Sequence, residues 1–401
     1  MNIEQAKTVI TRTHIAALDD STRASGLYME SGPGIGKSSG VFQATADLAK
    51  ALGRPVGLVQ EMVASYTGPD TRGFMMPVKG AAGGLDTIFS TPAWFPVLEN
   101  IWVCAPSTQS AAAGVGPSSV TTWHRPGTWK HRIPDIGTVF LDEFAQADDD
   151  VKKPMAEVFL NGRIGTKELP LGWRVIAAGN RTSDRSGVMR ELMFLVNRRC
   201  LLSIDASLPS WIDWANRQMP SHRPHYLTMS FAQKNPDIVF KDHVPEGTDP
   251  FCTPRTLCLM DKDLRALRSQ QDKDHDRLPL DDISREVAAG WIGKGSGAQF
   301  FTHLRYADQL PDIADIERDP AKAKVPENKD AQMVAGYMLA HNVTEANAEQ
   351  ILKYMGRMNI EMQVLTIRAV SAGPNMKAVV VQPGYVQWIT KNKELLIASG
   401  A

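Results

Sequence analysis

The sequence predicts an α/β fold, a parallel sheet sandwiched by helices, followed by a mainly helical lid and C-terminal region. Three observations carry this reading. A glycine-rich turn, Ser31-Gly32-Pro33-Gly34-Ile35-Gly36-Lys37-Ser38, stands between a short apolar run and a helical stretch. Short apolar runs recur after helical segments, as buried parallel strands require. Beyond about residue 206 such runs become rare and helical patterning takes over.

Taken in order, residues 1–25 read as an amphipathic helix, with Ile3, Ala6, Val9 and Ile10 on one face, and a polar turn. Leu27-Tyr28-Met29 is the first strand and the run from Val41 to Ala49 a helix. Pro55-Val56-Gly57-Leu58-Val59 reads as the second strand. An insertion at about 70–133 follows. It holds the Gly/Ala tract 80–84, the turn-rich Pro92-Ala93-Trp94-Phe95-Pro96 and a long loop over 106–128, near Trp123 and Trp129. Thr138-Val139-Phe140-Leu141 is the third strand, with a helix over roughly 150–160 and a short hairpin over 162–172 after it. The fourth strand runs from Arg174 to Ala178 and ends at Gly179-Asn180; the fifth is Cys200 to Ile204. Ligands in such a sheet sit at the carboxyl ends of the strands.

These elements divide the chain into an α/β domain over 1–205 and a helical region over 206–401. Within the latter, Trp211-Ile212-Asp213-Trp214-Ala215 opens an amphipathic segment, and 317–330, with Pro320, Pro326 and dense charge, is the best internal linker. Ala378-Val379-Val380-Val381 fits either a short strand or a helical linker.

Composition narrows the classes. A length of 401 residues fits two to three domains. Lys plus Arg equals Asp plus Glu, 44 each, so no overall field steers the chain to nucleic acid or membrane. No apolar run approaches the roughly 20 residues that span a bilayer. The first residues lack an apolar signal core, so a cytoplasmic protein is expected. Cys104, Cys200, Cys252 and Cys258 form no CxxC pair, which points to reduced thiols rather than zinc or disulfides.

Chemistry concentrates at the predicted strand ends. Gly32, Pro33, Gly34, Ile35, Gly36, Lys37, Ser38 and Ser39 form the expected nucleotide-binding run. Its glycines let backbone N–H groups turn toward a phosphate, Lys37 reaches the β- and γ-phosphates, and the Ser38 hydroxyl ligates Mg²⁺. The plainer alternative is a Gly/Pro turn capping a helix. Asp142, after four apolar residues, can hold the Mg²⁺ shell, and Glu143 can act as general base toward water. Alone, the pair could equally cap the next helix. Asn180 can orient water at the γ-phosphate, or simply form a turn. Asn197-Arg198-Arg199 offers a guanidinium for a neighbour's γ-phosphate, Arg198 before Arg199, and Arg255 in Thr253-Pro254-Arg255 is placed to reach over a nucleotide. Arg174, Arg181, Arg185, Arg190, Arg198 and Arg199 form a local basic cluster, suited to nucleic-acid phosphates or to a subunit interface. His222-Arg223-Pro224-His225 reads as loop, and Trp94, Trp123 and Trp129 as packing rather than base-stacking residues.

The ordered set SGPGIGKS, VFLDEF, IAAGN, NRR and TPR resembles the AAA+ ATPases, and within them the MoxR group with its helix-2 insert. The finer likeness lies in Asp70-Thr71-Arg72-Gly73 with Pro92 to Pro96, in Leu160 to Val175, in Asn180 to Gly187 and in Pro250 to Arg255. It covers about residues 20–270. The resemblance implies that Lys37 and Ser38 belong to Walker A, Asp142 and Glu143 to Walker B, Asn180 to sensor 1, Arg198 to the arginine finger and Arg255 to sensor 2. It further implies ATP and Mg²⁺ as cofactors and a homo-oligomeric ring, usually a hexamer. A chaperone-like remodelling or assembly role is implied too, beside a separate partner carrying a von Willebrand factor A domain. The sequence departs from the pattern at Ser31, at Arg199 and in the length of 97–133. A nucleic-acid-dependent motor or loader and a nucleotide-gated ring or filament scaffold are the other readings.

Overall fold

The computed structural model describes residues 1–80, 84–106, 121–181, 184, 193–218, 221–241 and 244–398. The remainder of the tract 80–84, most of the expected loop 106–128, and Arg185 and Arg190 lie outside the described residues, as does most of the stretch Asn180 to Gly187. The chain forms two compact units, Met1–Ala206 with Asp242–Val244, and Ser207–Lys241 with Pro245–Ala401. No helix among the described residues is long and apolar enough to cross a membrane.

The first unit opens with α1 (Ile3–Asp19), started by a reciprocal cap. Asn2 Oδ1 accepts from the Gln5 amide and Gln5 Oε1 from the Asn2 amide, which satisfies two donors the helix start leaves over. Next come β1 (Leu27–Ser31), α2 (Lys37–Leu52) and β2 (Val56–Met62). A short α3 (Gly68–Arg72) leads into a separate hairpin of β3 (Met75–Lys79) and β4 (Leu85–Phe89). Then follow β5 (Ile101–Pro106), β6 (Thr121–His124), β7 (Ile136–Asp142) and α4 (Asp149–Asn161). A second hairpin, β8 (Arg163–Ile164) with β9 (Lys167–Glu168), precedes β10 (Gly172–Asn180), α5 (Met193–Val196) and β11 (Cys200–Ile204).

Among the described residues, seven strands form one sheet in the order β11-β1-β10-β7-β2-β5-β6. The first five run parallel, as expected. The expected parallel sheet is extended at one side by two strands the sequence reading did not include: β5 pairs antiparallel with β2, and β6 antiparallel with β5. Part of the stretch read as an insertion over 70–133 therefore extends the sheet. An antiparallel neighbour needs no crossover helix, so a short apolar run such as Ile101-Trp102-Val103-Cys104 can join an edge directly. Helices cover both faces. One core gathers Val139, Leu141, Phe144, Phe159 and Trp173; the other packs Ala6 and Ile10 of α1 with Val41 and Ala44 of α2 against Leu58, Phe140 and Ile176.

The second unit is helical among its described residues, from Leu208–Arg217 to Pro383–Ala398. Its core centres on Phe231, Phe300, Tyr337 and Tyr354. Ala378-Val379-Val380 belongs to a helix, Met376–Val380, because burying Val379 outweighs the strand preference of β-branched residues. The charged stretch 317–330 is tied down: Arg357 donates to the carbonyls of Pro320 at 2.6 Å and Ala323 at 2.7 Å, and the Tyr354 hydroxyl to Lys324 O at 2.8 Å. His225 is a buried cap whose Nδ1 accepts from the Leu227 amide, so the turn from exposed His222 is anchored in the core at its His225 end.

Candidate functional site: a glycine turn at three strand ends

The glycine turn joins β1 to α2, and its backbone dictates its sequence. Gly34 and Gly36 take φ of 75° and 98°, the left-handed region where a side chain is strained. The turn is half-exposed, while Lys37, the first residue of α2, is buried. A buried ammonium requires acceptors. Lys37 Nζ donates to Ser31 Oγ at 2.9 Å, Asn180 Oδ1 at 2.9 Å, Gly32 O at 3.2 Å and Ser31 O at 3.4 Å.

Sheet order brings the partners together. β10 lies between β1 and β7, with Ser31 opposite Asn180 in register. The carboxyl ends of all three parallel strands therefore share one edge. Ser38 Oγ, in the first turn of α2, donates to Asp142 Oδ2 at 2.6 Å. Asp142 Oδ1 accepts from the Glu143 amide at 3.0 Å. Glu143 itself sits at φ 54°, a left-handed conformation uncommon for a residue with a side chain, and its buried Oε2 has no hydrogen-bond partner. The strained backbone and the unsatisfied carboxylate oxygen fall on the same residue, at the carboxyl end of β7.

The two arginines before β11 diverge. The guanidinium of Arg199 lies 3.6 Å from the Tyr28 ring centroid, stacked inside the unit. Arg198 is exposed and lines a cavity of about 440 Å³. Because β11 runs parallel to β1, with Cys200 opposite Leu27, Arg198 stands at the amino-terminal edge of the sheet. Four strand steps, ~13 Å, separate that edge from the one carrying the glycine turn. Of the basic cluster, Arg174 is buried and structural, donating to Ile10 O, Ser25 O and Thr13 Oγ1. Arg255 is exposed in the first turn of the helix Pro254–Ala266, in the second unit. Trp94 is buried in the core, its Nε1 donating to Thr71 O, and Trp123 is a half-buried packing residue against Phe42.

Sequence reasoning treated Ser31 only as a departure from the usual glycine. Its hydroxyl is one of the nearest acceptors of Lys37. A hydroxyl residue opening a lysine-containing glycine turn was the available signal.

A hydroxyl and a carboxylate in contact, beside a lysine at the mouth of a helix, suit a magnesium-bound polyphosphate. Such a cation keeps waters and substrate oxygens and asks the protein for one or two ligands. No group of three or more His, Cys, Asp or Glu side chains able to hold a metal occurs among the described residues.

Fold and site together define a mostly parallel α/β unit with a glycine turn at its strand ends, followed in sequence by a helical unit. No protein-family model matches the chain, and no curated protein sequence matches it. Among solved structures it is similar to NtrX from Brucella abortus, with 13% identity and a TM-score of 0.35 over 99% of this chain and 68% of that one. A second NtrX structure, in complex with ATP, gives 12% identity and 0.33 over 97% and 67%. A mutant of Thermotoga maritima RuvB gives 11% identity and 0.31 over 98% and 88%.

Proposed function

We propose that this chain is an ATPase of the AAA+ kind, MoxR-like, which couples ATP turnover to remodelling or assembly of a protein partner. The observation that carries the reading is the 2.6 Å contact between Ser38 Oγ and Asp142 Oδ2, joining two motifs 104 residues apart. A chance glycine turn has no reason to meet a strand-end aspartate.

In this reading the backbone N–H groups of residues 32–38 and the Lys37 ammonium bind the β- and γ-phosphates. Ser38 and Asp142 would hold Mg²⁺, which when bound would supply charge neutralisation at the phosphates. Glu143, its Oε2 without a partner, takes the proton of the attacking water. Asn180 fixes the γ-phosphate end through its side-chain amide, and Arg198 serves the nucleotide of a neighbouring copy. The quaternary form that follows is a ring, six copies being the family's usual number. A separate protein, of the von Willebrand factor A type in this family, is the partner. The exposed apolar side chains of the β3–β4 hairpin, Met75, Leu85 and Ile88, support a protein contact there.

Glu143→Gln tests the assignment. Tight binding of a fluorescent ATP analogue is expected to persist while phosphate release falls by about 10² or more. Unchanged phosphate release removes Glu143 from the chemistry.

A further inference from the structure

Residues 100–134 carry no acid, and their Lys and Arg side chains, Arg125, Lys130 and Arg132, fall within eight positions of one another. His124, Trp129 and His131 are interleaved with them. The run leaves β6, the last strand in the sheet order. Alternation along β6 sends Trp123 to the face where it meets Phe42 of α2, and His124 to the other. There the Trp129 ring stands edge-on to both imidazoles, its centroid 4.9 Å from that of His124 and 4.8 Å from that of His131. Trp129 also packs on the core that holds Val139 and Trp173, and its Nε1 donates to Arg132 O at 3.0 Å. Gly127, at φ 73°, donates its amide to Leu98 O at 2.9 Å, and Thr128 Oγ1 donates to Arg125 O at 2.6 Å. These bonds hold the backbone while Arg125, Lys130, His131 and Arg132 stay exposed. Arg132 meets exposed Asp135 at 2.9 Å, a pair that water screens. Arg125 and Lys130 have no ion pair among the described residues. Glu99, beside Leu98, is the other acid that borders the run.

We propose that this loop is a contact surface for single-stranded nucleic acid, with Arg125, Lys130 and Arg132 on backbone phosphates and the exposed His131 ring against a base. The proposal stands apart from the ATPase reading and uses none of its residues. Three observations select the ligand. The cations are exposed along a loop rather than gathered in a cavity, which suits a line of singly charged phosphates better than one compact anion. Planar guanidinium and imidazole groups can lie on the π-face of a base, a surface that an acidic peptide lacks. Bases are open to such contact in a single strand, whereas a duplex stacks them away. The chain as a whole is neutral, 44 basic against 44 acidic residues, so no wider field adds to the contact, and its salt dependence counts these few charges.

The test uses the full chain without ATP, so its outcome is separate from that of the ATPase reading. A fluorescent thymidine oligonucleotide of ~20 residues, longer than a usual single-strand site, is titrated with protein and read by anisotropy. Affinity is expected to fall with salt, log K against log salt having a slope of about −2, three cations at about −0.7 each. Arg125→Ala with Lys130→Ala is expected to bring that slope to about −0.7 and to weaken binding at least about tenfold at low salt. Arg125→Lys with Lys130→Arg, which keeps both charges, is expected to keep the slope. His131→Ala is expected to weaken binding with the slope unchanged, since a base contact releases no counterion. Lys391→Ala with Lys393→Ala removes two exposed cations of the second unit and is expected to change nothing. No binding by the unaltered protein at low salt overturns the proposal, and so does an equal loss in the Lys391 and Lys393 variant. An affinity indifferent to His131→Ala overturns the base contact. Polyglutamate that competes as well as the oligonucleotide assigns the surface to an acidic protein instead.

Discussion

His14 is buried in α1 with Nε2–H donating to Gly172 O at 3.0 Å, while its Nδ1 has no partner. Burial lowers its pKa from 6.5 to about 4; the Gly172 hydrogen bond works against that shift, and the nearby Arg174 guanidinium adds to it. Between those values the unfolded chain takes up a proton that the folded chain refuses. Stability therefore falls as pH drops from about 6.5 toward 4, by up to about 3 kcal/mol at the lower end. His303 and His341, lowered to about 4 mainly by burial, act in the same direction in the second unit. His14→Gln is expected to reduce the loss of melting temperature between pH 7 and pH 5 without abolishing it. An identical pH dependence in the variant excludes His14 as a contributor. None of this is visible in the sequence, where His14 is a polar residue on a helix whose buried face was legible only from its apolar positions. Ser31 and Glu143 were equally opaque in one respect. Their identities were readable, but the acceptor role of one and the strained backbone of the other arise only when distant strands meet.

Arg174 shows the same dependence for whole elements. It lies on β10, yet its three nitrogens donate to Ile10 O at 2.8 Å, Thr13 Oγ1 at 2.8 Å and Ser25 O at 3.0 Å, so it fastens α1 and the turn after it to the sheet. Burial lowers its pKa to about 10, which leaves it charged at neutral pH. Arg174→Ala leaves those acceptors without their donor and opens a cavity, at a cost of about 2–4 kcal/mol. For a unit of this size that is a fall of roughly 5–15 °C in melting temperature. A fall below a couple of degrees means that α1 is held by its apolar face alone. The parallel strands could be read from sequence because each contains a short apolar run, and the central ones, β1, β10 and β7, are buried on both faces. β5 escaped because it sits among breakers, between Pro92–Pro96 and its own terminal Pro106. The β3–β4 hairpin escaped because nearly all of its side chains are exposed, so it has no apolar alternation to betray it. The cavity beside Arg198 could not be read at all, being assembled from α3, α4 and β9.

At the scale of the molecule, the first unit places Lys37 at the carboxyl ends of the parallel strands and Arg198 at the amino-terminal edge of the same sheet, and the proposed function asks both to meet nucleotide phosphates. A lone chain cannot bring them together, since a five-residue strand stands between. Copies stacked head to tail can, and a repeated head-to-tail contact closes into a ring or continues as a filament. Overall neutrality removes any long-range repulsion between copies, so nucleotide charge bridging two chains can decide whether they associate. Light scattering on Glu143→Gln chains should then report a mass near 44.0 kDa, or a small multiple, without nucleotide, and a larger discrete assembly with ATP and Mg²⁺. Turnover by the unaltered protein should rise more steeply than chain concentration until the assembly saturates. A rate per chain that stays constant on dilution, with a scattering mass indifferent to ATP, leaves a self-sufficient nucleotide pocket and removes the shared site. Growth of the assembly without limit in ATP selects the filament, while a steep, salt-sensitive response to DNA or RNA selects a motor on nucleic acid.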